Sequence, residues 1–268
     1  MLTRRLFTAM AIPTMAQNIL RIPPAEPGKR LAYGSDPSQF GELRLPEGKA
    51  PHPVVLFIHG GYWRATYDLS HARHLCAAIA KAGYAVWSVE YRRTGQPGGG
   101  YPGTFDDVRA AFAWLPSIPA LDLTRVVVAG HSAGGQLALW LAAQEGIALK
   151  GVAGLAAISD LRRGHALNLG RGAIDAFMGC GPADCGDHYS KASPMDLLPL
   201  KVPQVLIHGT ADDTVPFELS KRFARASANA RLVPLEGSGH FEPIDPRAKE
   251  WPRVLEEIVR PIARTNAG

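Results

Sequence analysis

Short apolar runs alternate with amphipathic stretches along most of the chain. Val54–Ile58 is continuously apolar, as expected of a strand that is covered on both faces. The stretch Leu69–Lys81 has helical periodicity and ends before Gly83, a residue typical of helix termini. Ala85–Val89 then repeats the strand pattern. The pattern therefore predicts strand, helix and strand in succession.

The same alternation continues to the end of the chain. Strands are predicted at Lys29–Tyr33, Phe40–Leu45, Val54–Ile58, Ala85–Val89, Arg125–Ala129, Gly151–Ile158, Gln204–Ile207 and Arg231–Leu235. Helices are predicted at Leu69–Lys81, Phe105–Trp114, Ala133–Gln144, Pro216–Ala228 and Arg247–Ile262. Such alternation predicts an α/β fold with a mainly parallel eight-stranded sheet and helices on both faces.

Two segments depart from this rhythm. Residues 17–27 are rich in proline and are interpreted as a linker that lies on the α/β domain, which occupies residues 28–268. Residues 160–200 are rich in glycine, arginine and proline. Ligands of such sheets bind at the carboxyl ends of the strands, so we interpret this insert as a small lid there.

Composition narrows the choice of partners. The 268 residues, 46% of them hydrophobic, suit one large domain. The net charge of +5 comes from scattered residues, which argues against nucleic-acid binding. No apolar run reaches the roughly 18 residues that a membrane span needs. We expect a small-molecule substrate, and the sequence does not indicate an oligomeric state.

The N-terminus and the cysteines bear on location. Arg4-Arg5, an apolar stretch and small residues up to Ala16 resemble a short export signal at residues 1–16. A periplasmic or secreted protein is expected, with an ordinary cytoplasmic N-terminus as the alternative. Cys180 and Cys185 either form a disulfide in an oxidising compartment or remain free thiols. Cys76 is predicted to lie in the core.

The strongest chemical signal is the sequence Gly130-His131-Ser132-Ala133-Gly134. It fits G-x-S-x-G and lies between a predicted strand and a predicted helix. So tight a turn strains the serine, and the flanking glycines let the backbone close. We therefore predict that Ser132 is a nucleophile at the positive end of a helix.

A second signal, His59-Gly60-Gly61-Tyr62-Trp63, follows the strand Val54–Ile58. Acyl transfer develops negative charge on an oxygen, which needs N–H donors aimed at it. We predict the backbone amides of Gly61, Tyr62 and Ala133 as these donors. His59 is expected to brace the loop, and Tyr62 and Trp63 to form an aromatic wall beside the acyl carbon.

The general base and its acid should follow the nucleophile along the chain. His240 follows the last predicted strand within a glycine-rich loop, so it is the predicted base. The loop before it offers Asp212 and Asp213, and spacing alone does not choose between them. The unused aspartate is expected to cap the helix near Pro216.

The remaining histidines indicate no metal site. His71 and His74 are assigned to a helix surface because no third ligand accompanies them. His165 and His188 lie in the lid and are candidate substrate contacts, as are its arginines Arg162, Arg163 and Arg171. No metal and no organic cofactor is expected.

These motifs resemble the α/β-hydrolase superfamily over nearly the whole chain after the linker. Within it the chain is similar to the bacterial esterase and feruloyl-esterase-like group and to arylformamidases, which share the His-Gly-Gly-x-Trp loop. The group's acid commonly lies in His-Gly-x-x-Asp-x-x-Val-Pro, so the resemblance selects Asp212. Tyr91 and Arg92 resemble a structural pair of hormone-sensitive-lipase-like esterases, whose N-terminal helical cap this sequence lacks.

The expected activity is hydrolysis of small or medium carboxylic esters through an acyl-enzyme that Ser132 forms. The alternative is an arylformamidase that hydrolyses N-formyl-kynurenine. A peptidase is less expected, because peptidases of this fold usually carry a large extra domain. A non-catalytic binding module is the alternative outside enzymology.

Overall fold

The structure is a computed structural model that describes residues 19–263. The expected export signal at residues 1–16 lies outside them. The strands are β1 (Lys29–Ala32), β2 (Phe40–Arg44), β3 (His52–Ile58), β4 (Ala85–Val89), β5 (Leu121–His131), β6 (Gly151–Leu155), β7 (Gln204–Gly209) and β8 (Ala230–Leu235). The helices are α1 (Arg73–Lys81), α2 (Gly103–Ala113), α3 (Ala133–Ala142), α4 (Leu161–Ala166), α5 (Ala173–Met178), α6 (Gly186–Ala192), α7 (Glu218–Ala226) and α8 (Trp251–Val259).

The eight strands form one sheet in the order β1-β2-β4-β3-β5-β6-β7-β8. Strands β3 to β8 are parallel to one another, whereas β2 is antiparallel to both β1 and β4. The mainly parallel eight-stranded sheet is therefore confirmed.

Helices cover both faces of this sheet, as the apolar pattern predicts. In β3, Val54, Leu56 and Ile58 pack into one core with α2, α3 and α7. Val55 and Phe57, which point the other way, pack with α1 and α8. Both cores exclude water, which explains why the central strands are apolar at every position.

Element ends differ from the prediction where the backbone supplies a stop that the apolar pattern does not show. Strand β6 ends at Leu155, before Ala156 takes a φ of +46°, which no strand accommodates. Helix α8 begins at Trp251, with Pro252 in its first turn, rather than at Arg247. The pattern around Leu69 begins as a 3₁₀ turn over Leu69–Ala72 before α1.

The insert at residues 160–200 contains the short helices α4, α5 and α6. It packs on the loop after β3, where the Phe177 and Trp63 rings stack with centroids 4.3 Å apart. Cys180 and Cys185 form a disulfide within it. None of the helices in residues 19–263 is long and apolar enough to cross a membrane.

Candidate active site

Ser132 occupies the strained turn between β5 and α3. Its φ is +55° and its ψ is −118°, a conformation that non-glycine residues rarely adopt. A Cβ on Gly130 would lie 2.1 Å from the Gly134 carbonyl oxygen, and one on Gly134 would lie 2.2 Å from that of Ile58. Both glycines are therefore needed for the backbone to close around the serine.

The loop after β3 lies directly against this turn. A Cβ on Gly60 would lie 3.1 Å from the Ser132 Cβ, and Gly61 has a φ of +109° that favours glycine. Among residues 19–263, no hydrogen bond uses the backbone N–H of Gly61, Tyr62 or Ala133. These three predicted donors therefore remain available to an oxyanion.

His59 holds this loop in place through the contacts of its two ring nitrogens. Its Nδ1 lies 2.8 Å from the Gly60 carbonyl oxygen, and its Nε2 lies 3.0 Å from Glu90 Oε1. Its ring stacks on Tyr91, whose hydroxyl donates to the His59 carbonyl at 2.9 Å. The residue is buried and turned away from the cavity, so its role is to brace the loop.

Asp212, and not Asp213, contacts His240. The His240 Nδ1 donates to Asp212 Oδ2 at 2.7 Å, whereas the Asp213 side chain accepts from the Thr214 hydroxyl and from no other group in residues 19–263. Because His240 Nδ1 faces a carboxylate, its Nε2 is left to accept a proton. The expectation that the unused aspartate caps the following helix is wrong, since α7 has no side-chain cap.

Four donors converge on the Asp212 carboxylate. Oδ1 accepts from the backbone N–H groups of Thr214 and Val215, both at 2.8 Å. Oδ2 accepts from His240 and from His208 Nε2 at 3.1 Å. Burial alone would raise the pKa of Asp212, but the hydrogen bonds from His208 and His240 outweigh it and hold this pKa below its usual range.

Backbone packing brings the acid and the base together. A Cβ on Gly209 would lie 2.3 Å from the carbonyl oxygens of both Ser238 and Gly239. The Ala211 N–H also donates to the Ser238 carbonyl at 2.9 Å. The two loops therefore approach so closely that only glycine fits at position 209, the second residue of the His-Gly-x-x-Asp motif.

Ser132 and His240 line one cavity of about 180 Å³. Within the described part of the chain, no direct hydrogen bond joins the Ser132 hydroxyl to the His240 ring. Hydrogen bonds of this kind are often long before substrate binds and tighten in the complex. The Ser132 hydroxyl and the His240 imidazole therefore border the same cavity without a direct hydrogen bond between them.

Six residues that the sequence patterns do not assign to the site form much of its wall: Leu20, Tyr67, His71, His131, Thr214 and Phe241. The placement of His71 on an outer helix surface is therefore wrong. Burial lowers the pKa of His71 to about 4, so its ring is neutral near pH 7. No short motif marks His71, because its place in the wall depends on how the turn Leu69–Ala72 packs beside the loop after β3.

His131, the variable residue before Ser132, is a second histidine that the sequence patterns do not assign. Its Nε2 lies 2.9 Å from the His240 carbonyl oxygen and donates to it. Burial, its largest influence, and the nearby His240 ring keep the pKa of His131 well below its usual value. His131 therefore supports the backbone of the loop that carries His240.

The lid residues expected to contact substrate lie elsewhere. His165 pairs with Asp175, and the His188 ring stacks on Tyr101. Arg162 and Arg163 form ion pairs with Asp196 and Glu218, and Arg171 is exposed.

Trp63 is fully buried and donates to Gln136, so it belongs to the core and the prediction that it lines the site is wrong. Tyr62 does line the cavity.

One group of three potential metal ligands occurs among residues 19–263: Cys180, Cys185 and His188. The two sulfurs share a disulfide, so neither is available as a thiolate ligand. The group lies in the 160–200 insert and includes none of the residues that line the cavity.

Comparison with known proteins agrees with this fold. The chain is 26% identical to the esterase LipC of Mycobacterium tuberculosis over 257 residues, which cover 81% of this chain and 60% of that protein. It is 26% identical over 273 residues to a probable isoprenylcysteine alpha-carbonyl methylesterase of Oryza sativa, with 89% of this chain and 64% of that protein covered. The chain thus spans less than two thirds of the length of either relative.

A solved structure and a family model complete the comparison. A truncated carbohydrate esterase from gut microbiota superposes with a TM-score of 0.76 at 21% identity, covering 90% of this chain and 98% of that one. A family model described as BD-FAE matches residues 42–226, more than half of the chain. The sheet order, the strained serine turn and this match agree, and the chain belongs to the BD-FAE family of the α/β-hydrolase fold.

Proposed function

We propose that this protein is a carboxylic ester hydrolase that works through an acyl-enzyme on Ser132. One observation carries the proposal. The strained Ser132 and the Asp212-bound His240 line the same cavity, beside backbone amides that no other group uses.

The chemistry follows from these positions. His240 Nε2 takes the proton of the Ser132 hydroxyl as the oxygen attacks the ester carbonyl carbon. The amides of Gly61, Tyr62 and Ala133 stabilise the negative oxygen, and His240 returns the proton to the leaving alcohol. Water, activated by the same imidazole, then attacks the acyl-enzyme and releases the acid.

The size of the cavity favours small substrate groups. Its volume of about 180 Å³ is close to the roughly 150 Å³ of an engineered apolar cavity that holds one benzene molecule. A short acyl chain or a single aromatic ring fits such a space. Long-chain lipids are not expected as substrates, because their additional carbons would stay in water and gain none of the ~0.8 kcal/mol that each buried CH₂ contributes.

A substrate panel tests the proposed activity. The kcat/KM values of p-nitrophenyl acetate, butyrate and dodecanoate are compared with that of N-formyl-kynurenine. We expect the two short esters to be the best substrates. A value for the formamide far above both would establish the arylformamidase alternative, and a preference for dodecanoate would contradict the size argument.

We also propose that the protein is exported from the cytoplasm. The disulfide between Cys180 and Cys185 supports it, because such bonds persist in oxidising compartments. Mature protein from a native-like host should begin near Gln17. Protein recovered there with an intact Met1 or Leu2 would contradict export.

A further inference from the structure

One wall of the cavity comes from the segment just before the first strand. This N-terminal strap, residues 19–23, begins with a 3₁₀ turn. Its Leu20 side chain lines the same cavity as Ser132 and His240. Leu20 is also 48% exposed, so it lies at the rim, between the cavity and bulk water.

The strap is fixed to the domain on both sides of Leu20. Ile19 is only 2% exposed, which anchors the segment before it. The Pro23 carbonyl oxygen lies 2.9 Å from His74 Nε2 on α1, which holds the segment after it. Leu20 is therefore held at the rim by contacts on each side rather than lying loosely against the domain.

The lid does not provide this wall. No residue of the 160–200 insert is among the described residues that line the cavity. The insert reaches the site indirectly, by packing on the loop after β3: a Cβ on Gly170 would lie 2.7 Å from the Tyr62 ring, and Phe177 stacks on Trp63. Leu20, Tyr67 and Phe241 are apolar side chains of the lining that remain partly exposed at its rim, and none of them belongs to the insert.

Leu20 differs from the other rim residues in how it is held. Phe241 follows His240 directly and is tied to the catalytic loop, and Tyr67 packs on Gly61 of the oxyanion loop. Leu20 is carried by a separate segment that contributes no polar group to the reaction. Its side chain can therefore be changed in size without moving the reacting groups.

We propose that the N-terminal strap acts as a cap on the active site, with Leu20 as the residue that limits the size of the substrate group the cavity accepts. This proposal rests on the proposed ester hydrolysis and names what sets its substrate range. Discrimination by one or a few methylene groups in an apolar pocket typically amounts to 10–200-fold in kcat/KM.

The test varies the substrate on each side of the ester bond. One series contains p-nitrophenyl acetate, butyrate and octanoate, and the other contains methyl, butyl and octyl acetate. Full-length wild type is compared with Leu20→Ala, Leu20→Trp and the control Leu45→Ala, which removes a leucine of nearly the same exposure, 47%, outside the cavity lining.

Within each series, the measured quantity is the ratio of kcat/KM for the longest ester (the octanoate or the octyl acetate) to kcat/KM for the shortest. We expect Leu20→Ala to raise this ratio about tenfold in one of the two series. Leu20→Trp should lower the ratio in the same series, and Leu45→Ala should leave both ratios unchanged. Because Leu20 is half exposed, all variants should keep the wild-type thermal midpoint, which is measured alongside.

The outcomes separate the two proposals. If wild type hydrolyses the short esters and neither Leu20 variant shifts either ratio, the strap does not limit substrate size and this inference is wrong. If Leu45→Ala shifts a ratio as much as Leu20→Ala, the effect is not local and the inference is again wrong. If wild type hydrolyses no ester of either series, the proposed function itself has failed.

Discussion

At the scale of single residues, the choice between two adjacent aspartates shows what fixes a triad. Asp212 receives four hydrogen bonds, two from backbone N–H groups and two from histidines, whereas Asp213 faces the Thr214 hydroxyl. The two backbone N–H groups orient the Asp212 carboxylate independently of its contact with His240. Its negative charge then holds the His240 ring in the orientation that the reaction needs.

Asp212→Asn should reduce kcat for the best short ester by about 10⁴-fold, because an amide does not fix the tautomer of His240 as a carboxylate does. Asp213→Asn is the matched control, one residue away, and should keep kcat within about twofold. Both values come from initial rates at saturating substrate. Equal losses in the two variants would contradict the assignment of Asp212.

Ser132, Asp212 and His240 could be chosen as candidates from the sequence because each lies in a short motif after a strand, and the structure places Asp212 against His240 and Ser132 in the same cavity as His240. The wall residues His71 and Leu20 could not, since their presence in the cavity depends on how distant segments pack. Trp63 shows the reverse error. It lies beside a predicted oxyanion donor, yet its ring turns into the core to meet Phe177 and Gln136.

At the scale of elements, the site depends on one close contact between the end of β3 and the start of α3. A Cβ on Gly134 would meet the backbone carbonyl oxygens of Ile58 at 2.2 Å and His59 at 2.3 Å. Backbone atoms cannot turn aside as a flexible side chain can. The glycine therefore sets the distance between the loop after β3 and the serine turn.

Gly134→Ala should destabilise the protein by at least about 2 kcal/mol, because overpacking of this kind costs 1–3 kcal/mol or more. Gly186→Ala, at the first residue of α6 with open space around it, should stay within about 0.5 kcal/mol of wild type. Urea unfolding followed by tryptophan fluorescence measures both. Wild-type stability in Gly134→Ala would show that the two elements can separate without cost.

The strands were the most predictable elements, because buried parallel strands are apolar throughout and bounded by turn residues. Helix ends were less predictable. The α8 pattern extends over Arg247–Ile262, but the helix covers Trp251–Val259. The apolar period indicates which side of a segment is buried and does not show where its hydrogen bonding begins.

At the scale of the whole molecule, two neutral histidines make stability depend on pH. Burial lowers the pKa of His71 to about 4 and that of His131 well below its usual range. Both groups take up protons near pH 6.5 in the unfolded chain but not in the folded one. The unfolded state therefore binds more protons as the pH falls below about 6.5, and the fold loses stability.

We predict that the free energy of unfolding decreases from pH 7.5 to pH 5, with a slope of up to about 1.4 kcal/mol per pH unit for each of the two histidines. His71→Gln removes one of these groups and should reduce the slope by up to about 1.4 kcal/mol per pH unit. Urea unfolding at each pH measures the slope. A variant with an undiminished slope would contradict the assignment of His71 as a neutral group in the folded protein.

The central claim is that Ser132 is the nucleophile, and covalent labelling tests it most directly. The protein is treated with a short-chain alkyl phosphonate ester, digested, and mapped by mass spectrometry. The account predicts one phosphonyl group on Ser132, complete loss of hydrolysis with labelling, and no label in Ser132→Ala. A label on any other residue, or equal labelling of Ser132→Ala, would contradict it.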